Sequence, residues 1–200
     1  MSGCTLRFER NSPLRTTLVD EATRRAKYRI ETPVKVARSV TRITKFESPT
    51  PLHRDEEADS GCGKEQNKIE TESHEAGYEI ARIYWKWFSP NRIIFNGKVT
   101  TRRESLPRCG KLKGTRSFIF TGPDGVQYRW ALGAMGLDPS KLVTADEKKT
   151  VIAEFHHAQH YINKQKAKLE VQSAGIDMLD YIILTFVIVE QTRRERIGCI

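Results

Sequence analysis

Three histidines lie close together in FHHAQHY, residues 155–161, and are the first candidates for metal binding. On a helix, His156 and His160 would share one face at a spacing that suits a zinc ion. No HExxH pattern occurs, however, and Glu154 alone is a weak third ligand. We therefore interpret the segment as a strand end that leads into a loop with exposed histidines, and we expect neither a metal nor a cofactor.

The cysteines and serines give no sign of nucleophilic chemistry. The four cysteines, at positions 4, 62, 109 and 199, form no C-x-x-C pair and have no zinc spacing. A nucleophile also needs an oriented base, and neither a G-x-S-x-G elbow nor the Walker spacing is present. We therefore predict that the protein is not an enzyme.

Basic side chains carry a clearer chemical meaning. The 34 Lys/Arg and 25 Asp/Glu residues give a net charge of +9, which favours anionic partners. Basic residues cluster at 24–29, at 164–168 and most densely at Arg102, Arg103, Arg108, Lys111, Lys113 and Arg116. Each such charge near an anionic leaflet contributes about 1 kcal/mol of binding free energy. We predict that the densest cluster binds an anion or a lipid headgroup, with a merely solvated surface as the alternative.

Acidic residues are concentrated in one block. Residues 1–46 carry 11 Lys/Arg and 4 Asp/Glu, residues 47–79 carry 3 and 10, and the remainder carries 20 and 11. The block is poor in aromatic residues, so it cannot bury enough apolar surface to offset the entropy of ordering. We predict a disordered acidic insert at 48–77 within one domain, 1–200. It either screens the basic body or is an insertion without a role.

The remaining chain consists of short segments typical of strands. Asn96-Gly97 is a strong hairpin signal. The Pro-Asp-Gly turn at 123–125 precedes an alternating segment in which Tyr128 and Trp130 face the same way. Such strands, recurring with Gly, Pro or Asn between them, favour an all-β sandwich or barrel.

The most apolar stretch, residues 178–197, is compatible with three structures. A membrane-spanning helix needs about 20 predominantly apolar residues, whereas 178–189 supplies only twelve, which include Asp180 and Thr185. A strand buried on both faces would suit its β-branched residues. A helix buried on all sides would suit Asp177 as its N-cap and the arginines after its end. We favour a buried helix at 176–196 and no membrane span.

Five stretches together resemble a fungal domain family of unknown function that is widespread in basidiomycetes. They are LRFERNSPLRTTLVD, KYRIETP, EIARIYWKW, FTGPDGVQYRW and DMLDYIILTFVIVEQTRRER, and their order and spacing also agree. That family is similar to the tubby C-terminal domain, the LURP-one domain and the phospholipid scramblases. The resemblance implies a mainly β fold, in which a closed antiparallel barrel of about twelve strands surrounds a buried hydrophobic C-terminal helix.

The function expected from these observations is binding without catalysis. Related tubby domains bind phosphoinositide headgroups through basic residues, which implies, by analogy, anionic phospholipid headgroups or an acidic protein as partners. Nucleic-acid binding and a regulatory protein-interaction role are the alternatives, although no nucleic-acid-binding signature occurs. Because the N-terminus has no apolar signal core, we expect a cytoplasmic protein, with nuclear or peripheral membrane locations as alternatives. We also expect a monomer.

Overall fold

The computed structural model describes residues 2–33, 39–47, 77–85, 91–109, 117–133, 138–158 and 165–197. Within these ranges, thirteen strands form one sheet. They are β1 Cys4–Phe8, β2 Thr16–Asp20, β3 Ala26–Glu31, β4 Val40–Phe46, β5 Gly77–Tyr84, β6 Arg92–Phe95, β7 Lys98–Thr101, β8 Arg108–Cys109, β9 Ser117–Thr121, β10 Gln127–Ala131, β11 Ser140–Thr144, β12 Val151–His156 and β13 Lys168–Val171. The predicted insert at 48–77 lies outside the described residues apart from Gly77.

Two helices and a 3-10 helix complete the described structure. A one-turn helix, α1 (Arg102–Ser105), lies between β7 and β8 in the chain, and the 3-10 helix Ser173–Met178 leads into α2 (Leu179–Ile197). The mainly β fold with a C-terminal helix is therefore confirmed. The predicted N-cap at Asp177 is wrong, because this residue lies inside the 3-10 helix.

The strands follow one another across the sheet in two runs. Strands β1 to β7 are consecutive neighbours, as are β8 to β13, and β1 joins the runs by pairing with β13. All of the pairs are antiparallel, and the joining pair places Leu6 opposite Leu169. Both predicted turns connect neighbouring strands. Asn96 and Gly97 have positive φ angles of 46° and 76° between β6 and β7, and Gly125 has a φ of 80° between β9 and β10.

An odd number of strands explains why ladder hydrogen bonds do not close this sheet. Neighbouring strands alternate in direction, so the two edge strands of a thirteen-stranded sheet, β7 and β8, run the same way. A parallel pair needs a crossover connection of about a dozen residues or more, whereas only residues 102–107 separate β7 from β8. Among the described residues no ladder joins these edges, so the closed barrel implied by the resemblance is not shown.

The sheet nevertheless curls around α2. Thirteen strands spaced about 4.8 Å apart would make a flat sheet about 58 Å wide. The chain from β7 to β8 is short enough that its ends are at most about 25 Å apart. The two edges must therefore approach each other, which they can do only if the sheet is strongly curved.

Helix α2 fills the interior of the curved sheet. Its nine consecutive residues from Ile182 to Glu190 are each at most 2% exposed. The ring of Phe186 contacts Phe8 on β1, Trp130 on β10 and Phe155 on β12, with ring centroids 5.8, 6.1 and 4.6 Å away. Because nine consecutive residues of α2 are buried, every face of the helix at this level is enclosed, which explains why apolar residues occur on all of its faces.

One hydrogen bond and one glycine help the C-terminal helical segment to pack against the sheet. Trp130 donates a hydrogen bond from Nε1 to Oγ1 of Thr185, 3.1 Å away, so two polar groups of the core satisfy each other. A β-carbon at Gly175 would lie only 2.9 Å from the side chains of Ile152 and Val171. Glycine therefore lets the 3-10 helix pack closely against the sheet before α2 begins.

Candidate functional site

The connections between antiparallel strands alternate between two ends of the sheet. We call the end at which α2 begins the upper end, and the end at which it finishes the lower end. At the upper end, Asp180 of α2 accepts a hydrogen bond from the Tyr28 hydroxyl group and forms a 2.9 Å ion pair with Lys45. At the lower end, Arg102 of α1 donates a hydrogen bond to Thr192 Oγ1 at 3.3 Å. These contacts identify which connections lie at each end.

The sequences of the connections at the two ends differ in charge. The segments that join strands at the lower end carry 12 Lys/Arg and 3 Asp/Glu, a net charge of +9; they are 9–15, 32–39, 85–91, 102–107, 110–116, 132–139 and 157–167. Those at the upper end carry 7 and 14, a net charge of −7; they are 21–25, 47–76, 96–97, 122–126, 145–150 and 172–178. The described residues carry 5 Lys/Arg and 3 Asp/Glu in the lower set and 4 and 6 in the upper set. The other charges of both sets belong to residues outside the described ranges.

The predicted anion-binding residues that the structure describes belong to the lower end. Arg102 and Arg103 lie in α1, and Arg108 is the first residue of β8. Lys111, Lys113 and Arg116 lie outside the described residues. One helical turn and a two-residue strand therefore replace part of the loop that the sequence predicted for this region.

Helix α1 forms because its first turn contains a capping box. The Thr101 side chain accepts a hydrogen bond from the backbone N–H of Glu104, and a Glu104 carboxylate oxygen accepts one from the backbone N–H of Thr101 at 2.9 Å. The backbone bond from Thr101 is the main reason that the pKa of Glu104 lies below its usual value. The sequence signal for this turn is T-x-x-E at 101–104, which the strand-based interpretation overlooked.

The two arginines of α1 have different surroundings. The Arg103 side chain is exposed. The Arg102 side chain is 22% exposed, and its guanidinium group lies 3.3 Å from Thr192 and 3.9 Å from Glu195 on α2. Arg102 therefore connects α1 to the central helix, whereas Arg103 faces solvent.

A buried ion pair near the end of α2 was not predicted. The Glu190 side chain is completely buried, and its carboxylate accepts hydrogen bonds from Arg193 Nε at 3.0 Å and Nη2 at 2.9 Å. The neighbouring Thr192 hydroxyl group donates to the Ile188 carbonyl at 2.8 Å. The sequence EQTRRER has the composition of a solvated helix end, and only the enclosing sheet makes its first residues interior.

His157 also lies closer to the interior than the sequence analysis expected. His156 is the last residue of β12. His157 points to the same inward side as Phe155, and the centroids of these two rings are 4.6 Å apart. Burial lowers the pKa of His157, and two arginines of α2 lower it further against the opposing effect of Glu190. The prediction of exposed loop histidines is therefore wrong for His157, while His160 lies outside the described residues. Among the described residues no three side chains are grouped to hold a metal ion.

Two carboxylates next to the upper connections are paired with lysines. Asp20 is 6% exposed, and its carboxylate lies 2.7 Å from Lys27 Nζ. The free thiol of Cys4 lies 3.7 Å from the same ammonium group, and burial is the main cause of its raised pKa. The second such pair joins Asp180 to Lys45. Asp20 and Asp180 lie in β2 and α2 rather than in the upper connections, so these two pairs do not change the net charge of those connections.

Comparisons with known proteins establish family membership but no activity. No helix in the described ranges is both long enough and apolar enough to traverse a bilayer. A search of curated proteins and a search of solved structures each returned no match. A profile described as a family of unknown function (DUF6593) matches residues 11–195. Since this match covers nearly the whole sequence, the chain belongs to the family of unknown function DUF6593.

Proposed function

We propose that the protein docks on anionic membrane surfaces through the lower end of its sheet and catalyses no reaction. The observation that carries this proposal is the separation of charge, with net +9 in the sequence of the lower connections and net −7 in that of the upper ones, of which the described residues carry +2 and −2. The cytoplasmic leaflet has a negative surface potential, which attracts basic segments within about 10 Å. Such a surface would attract one end of the molecule and repel the other, so docking would also fix its orientation.

Exposed residues at the lower end support the proposal. Arg10, Arg103 and Lys166 are exposed and belong to three different connections of this end. A surface cleft of about 370 Å³, lined by Arg15, Glu31, Thr32, Pro33 and Arg42, places two further guanidinium groups and one carboxylate close to this end. Since each basic group near an anionic leaflet contributes about 1 kcal/mol, several of them acting together suffice for reversible binding.

The fold offers a second, weaker line of support. The resemblance to tubby C-terminal, LURP-one and scramblase domains includes a sheet around a C-terminal helix, and we propose that the present fold is a variant of that barrel. In this variant the edges β7 and β8 run parallel and remain unpaired. An argument from a shared fold to a shared ligand is an analogy, so the charge separation remains the basis of the proposal.

Vesicle co-sedimentation tests the proposal. The full chain is mixed with phosphatidylcholine vesicles, with or without phosphatidylserine or a phosphoinositide. The lower-end variant Arg10→Glu/Arg103→Glu/Lys166→Glu is compared with an upper-end variant, Arg24→Glu/Arg25→Glu/Lys98→Glu, in which three other exposed basic residues are reversed. We expect the lower-end variant to lose affinity by at least about tenfold and the upper-end variant to lose much less.

The same pair of variants distinguishes the alternatives. Equal losses in both variants, or no binding of the unchanged protein to anionic vesicles, would overturn the proposal. Binding of random-sequence duplex at the same salt concentration, tighter than binding of vesicles and falling steeply as salt increases, would favour the nucleic-acid alternative. Binding to phosphoinositide vesicles but not to phosphatidylserine vesicles would identify a headgroup-specific surface within the proposal.

A further inference from the structure

Ser105 lies in the sequence Arg102-Arg103-Glu104-Ser105-Leu106. Arginine-directed serine kinases recognise arginines three and two positions before the serine, because each guanidinium group pairs with carboxylates of the kinase. Such kinases also favour an apolar residue directly after the serine. Ser105 is the one serine or threonine in the sequence with arginine at both of these preceding positions. We propose that Ser105 is a phosphorylation site for a kinase of this type.

The position of α1 makes the serine accessible through local unfolding. Ser105 is the last residue of a four-residue helix, and its hydroxyl group contacts only one described partner, Thr100 Oγ1, at 3.2 Å. The helix bridges two strand edges that share no ladder among the described residues, so α1 can open without breaking a strand pair. Segments with few cooperative contacts open more readily than paired strands.

One contact limits how fast the site can react. Leu106 is 2% exposed and belongs to the core cluster, and its backbone N–H donates to the Arg102 carbonyl at 2.8 Å. A kinase that binds this segment in an extended form must withdraw Leu106 from the core. We therefore expect slower phosphorylation of the folded protein than of a peptide with the same sequence.

The reaction is a phosphoryl transfer without any redox change. The Ser105 Oγ atom forms a bond to the γ-phosphorus of ATP, and the bond between that phosphorus and the oxygen bridging to the β-phosphate breaks. The hydroxyl proton passes to a base of the kinase and then to solvent, and ADP leaves. The product carries about two additional negative charges at neutral pH.

The effect of this modification on docking rests on the proposed function. The phosphate would lie within one helical turn of Arg102 and Arg103, where it forms charge-assisted hydrogen bonds with guanidinium groups. It would compete with Glu195, whose carboxylate is 3.9 Å from Arg102. Because it lowers the positive charge of the lower end, phosphorylation acts as an electrostatic switch that releases the protein from an anionic surface.

The first experiment tests the site alone. The full chain is incubated with ATP and the catalytic subunit of cyclic-AMP-dependent protein kinase, and modified residues are mapped by mass spectrometry. We expect one major phosphate on Ser105, no such phosphate in Ser105→Ala, and a reduced initial rate in Arg103→Gln. Modification of a peptide covering 99–109 but not of the folded chain would overturn the assignment, as would a major phosphate elsewhere.

The second experiment separates the site from its effect on docking. Phosphorylated and untreated protein are compared in the vesicle assay, with kinase-treated Ser105→Ala as the matched control. We expect phosphorylation to weaken binding by about tenfold or more, with the control unchanged. Equal binding of both forms would overturn the switch and leave docking intact. Failure of the untreated protein to bind would overturn the proposed function, while the mapped phosphate would still establish the site.

Discussion

The two ends of α2 are held in the sheet by different kinds of contact. At the upper end, Asp180 is bound directly by Tyr28 on β3 and Lys45 on β4, and these strands are paired on both sides. At the lower end, the buried carboxylate of Glu190 is bound by Arg193 of the same helix. Within the part of the chain that the structure describes, Arg102 on α1 donates a hydrogen bond to this half of α2, at the seam where no ladder joins β7 to β8.

This difference shows how stability and binding are divided within the molecule. The upper end joins the helix to the strand ladder, so its contacts are part of the cooperative structure. The lower end carries the excess positive charge but depends on one helical turn and on a pair within α2. We therefore expect α1 to open more readily than the strand ladder.

Removing Glu190 should produce the largest loss of stability. Glu190→Ala leaves Arg193, whose side chain is only 18% exposed, without its carboxylate partner. Breaking a buried pair in this way costs about 3 kcal/mol of unfolding free energy, which urea denaturation would measure. The double variant Glu190→Met/Arg193→Met is the control and should recover most of the loss, because no charge remains unpaired. A Glu190→Ala midpoint equal to that of the unchanged protein would contradict this account.

Removing Asp180 should cost somewhat less. Asp180→Ala removes a carboxylate that is 27% exposed, so Lys45 and the Tyr28 hydroxyl group regain some water after its loss. We expect a loss of about 2 kcal/mol, as for hydrogen bonds to charged groups, in the same denaturation assay. Asp177→Ala, at a nearby exposed position, should change little. A larger loss for Asp180→Ala than for Glu190→Ala would reverse the comparison between the ends.

Mild acid should weaken the lower end before the upper end. The pKa of His157 is lowered in the folded state by burial, so the unfolded state binds a proton more readily. Stability should therefore be constant above about pH 6.5 and fall as pH decreases from there towards the folded pKa. Denaturation midpoints between pH 7.5 and 5 measure this slope, and His157→Gln should flatten it. An unchanged slope in the variant would assign the effect to another group.

Arg102 should have the smallest effect on stability. Arg102→Met keeps much of the apolar stem but removes the hydrogen bond to Thr192 and the long contact with Glu195. We expect a loss of about 0.5–1 kcal/mol, together with faster amide hydrogen exchange in α1. The matched variant Arg103→Met alters an exposed side chain and should leave both quantities unchanged. Equal effects of the two variants would show that Arg102 does not join α1 to α2.

Local signals in the sequence predicted several elements correctly. The apolar run, with acidic residues before it and arginines after it, predicted the buried helix α2, although the run alone also suits a strand buried on both faces. The Asn96-Gly97 turn predicted the β6–β7 hairpin, because its two residues adopt positive φ angles. These elements depend mainly on residues that are adjacent in the chain, so a single sequence contains the required information.

Non-local relations could not be predicted in the same way. The pairing of β1 with β13 joins residues more than 160 positions apart, and no local pattern specifies it. The parallel direction of the edge strands depends on the total number of strands, and two-residue β8 gives almost no alternating pattern. The basic cluster was identified from charge, but the burial of Glu190 and the contact between Arg102 and Glu195 arise only when α1 and the sheet enclose α2.

The order of elements along the chain has a consequence for biosynthesis. Helix α2 follows all thirteen strands, yet it supplies the apolar side chains against which their inner faces pack. A ribosome therefore releases every strand before the segment that gives them an interior. The nascent strands must remain unassembled, with their apolar faces accessible to chaperones, until α2 emerges and folding can be completed.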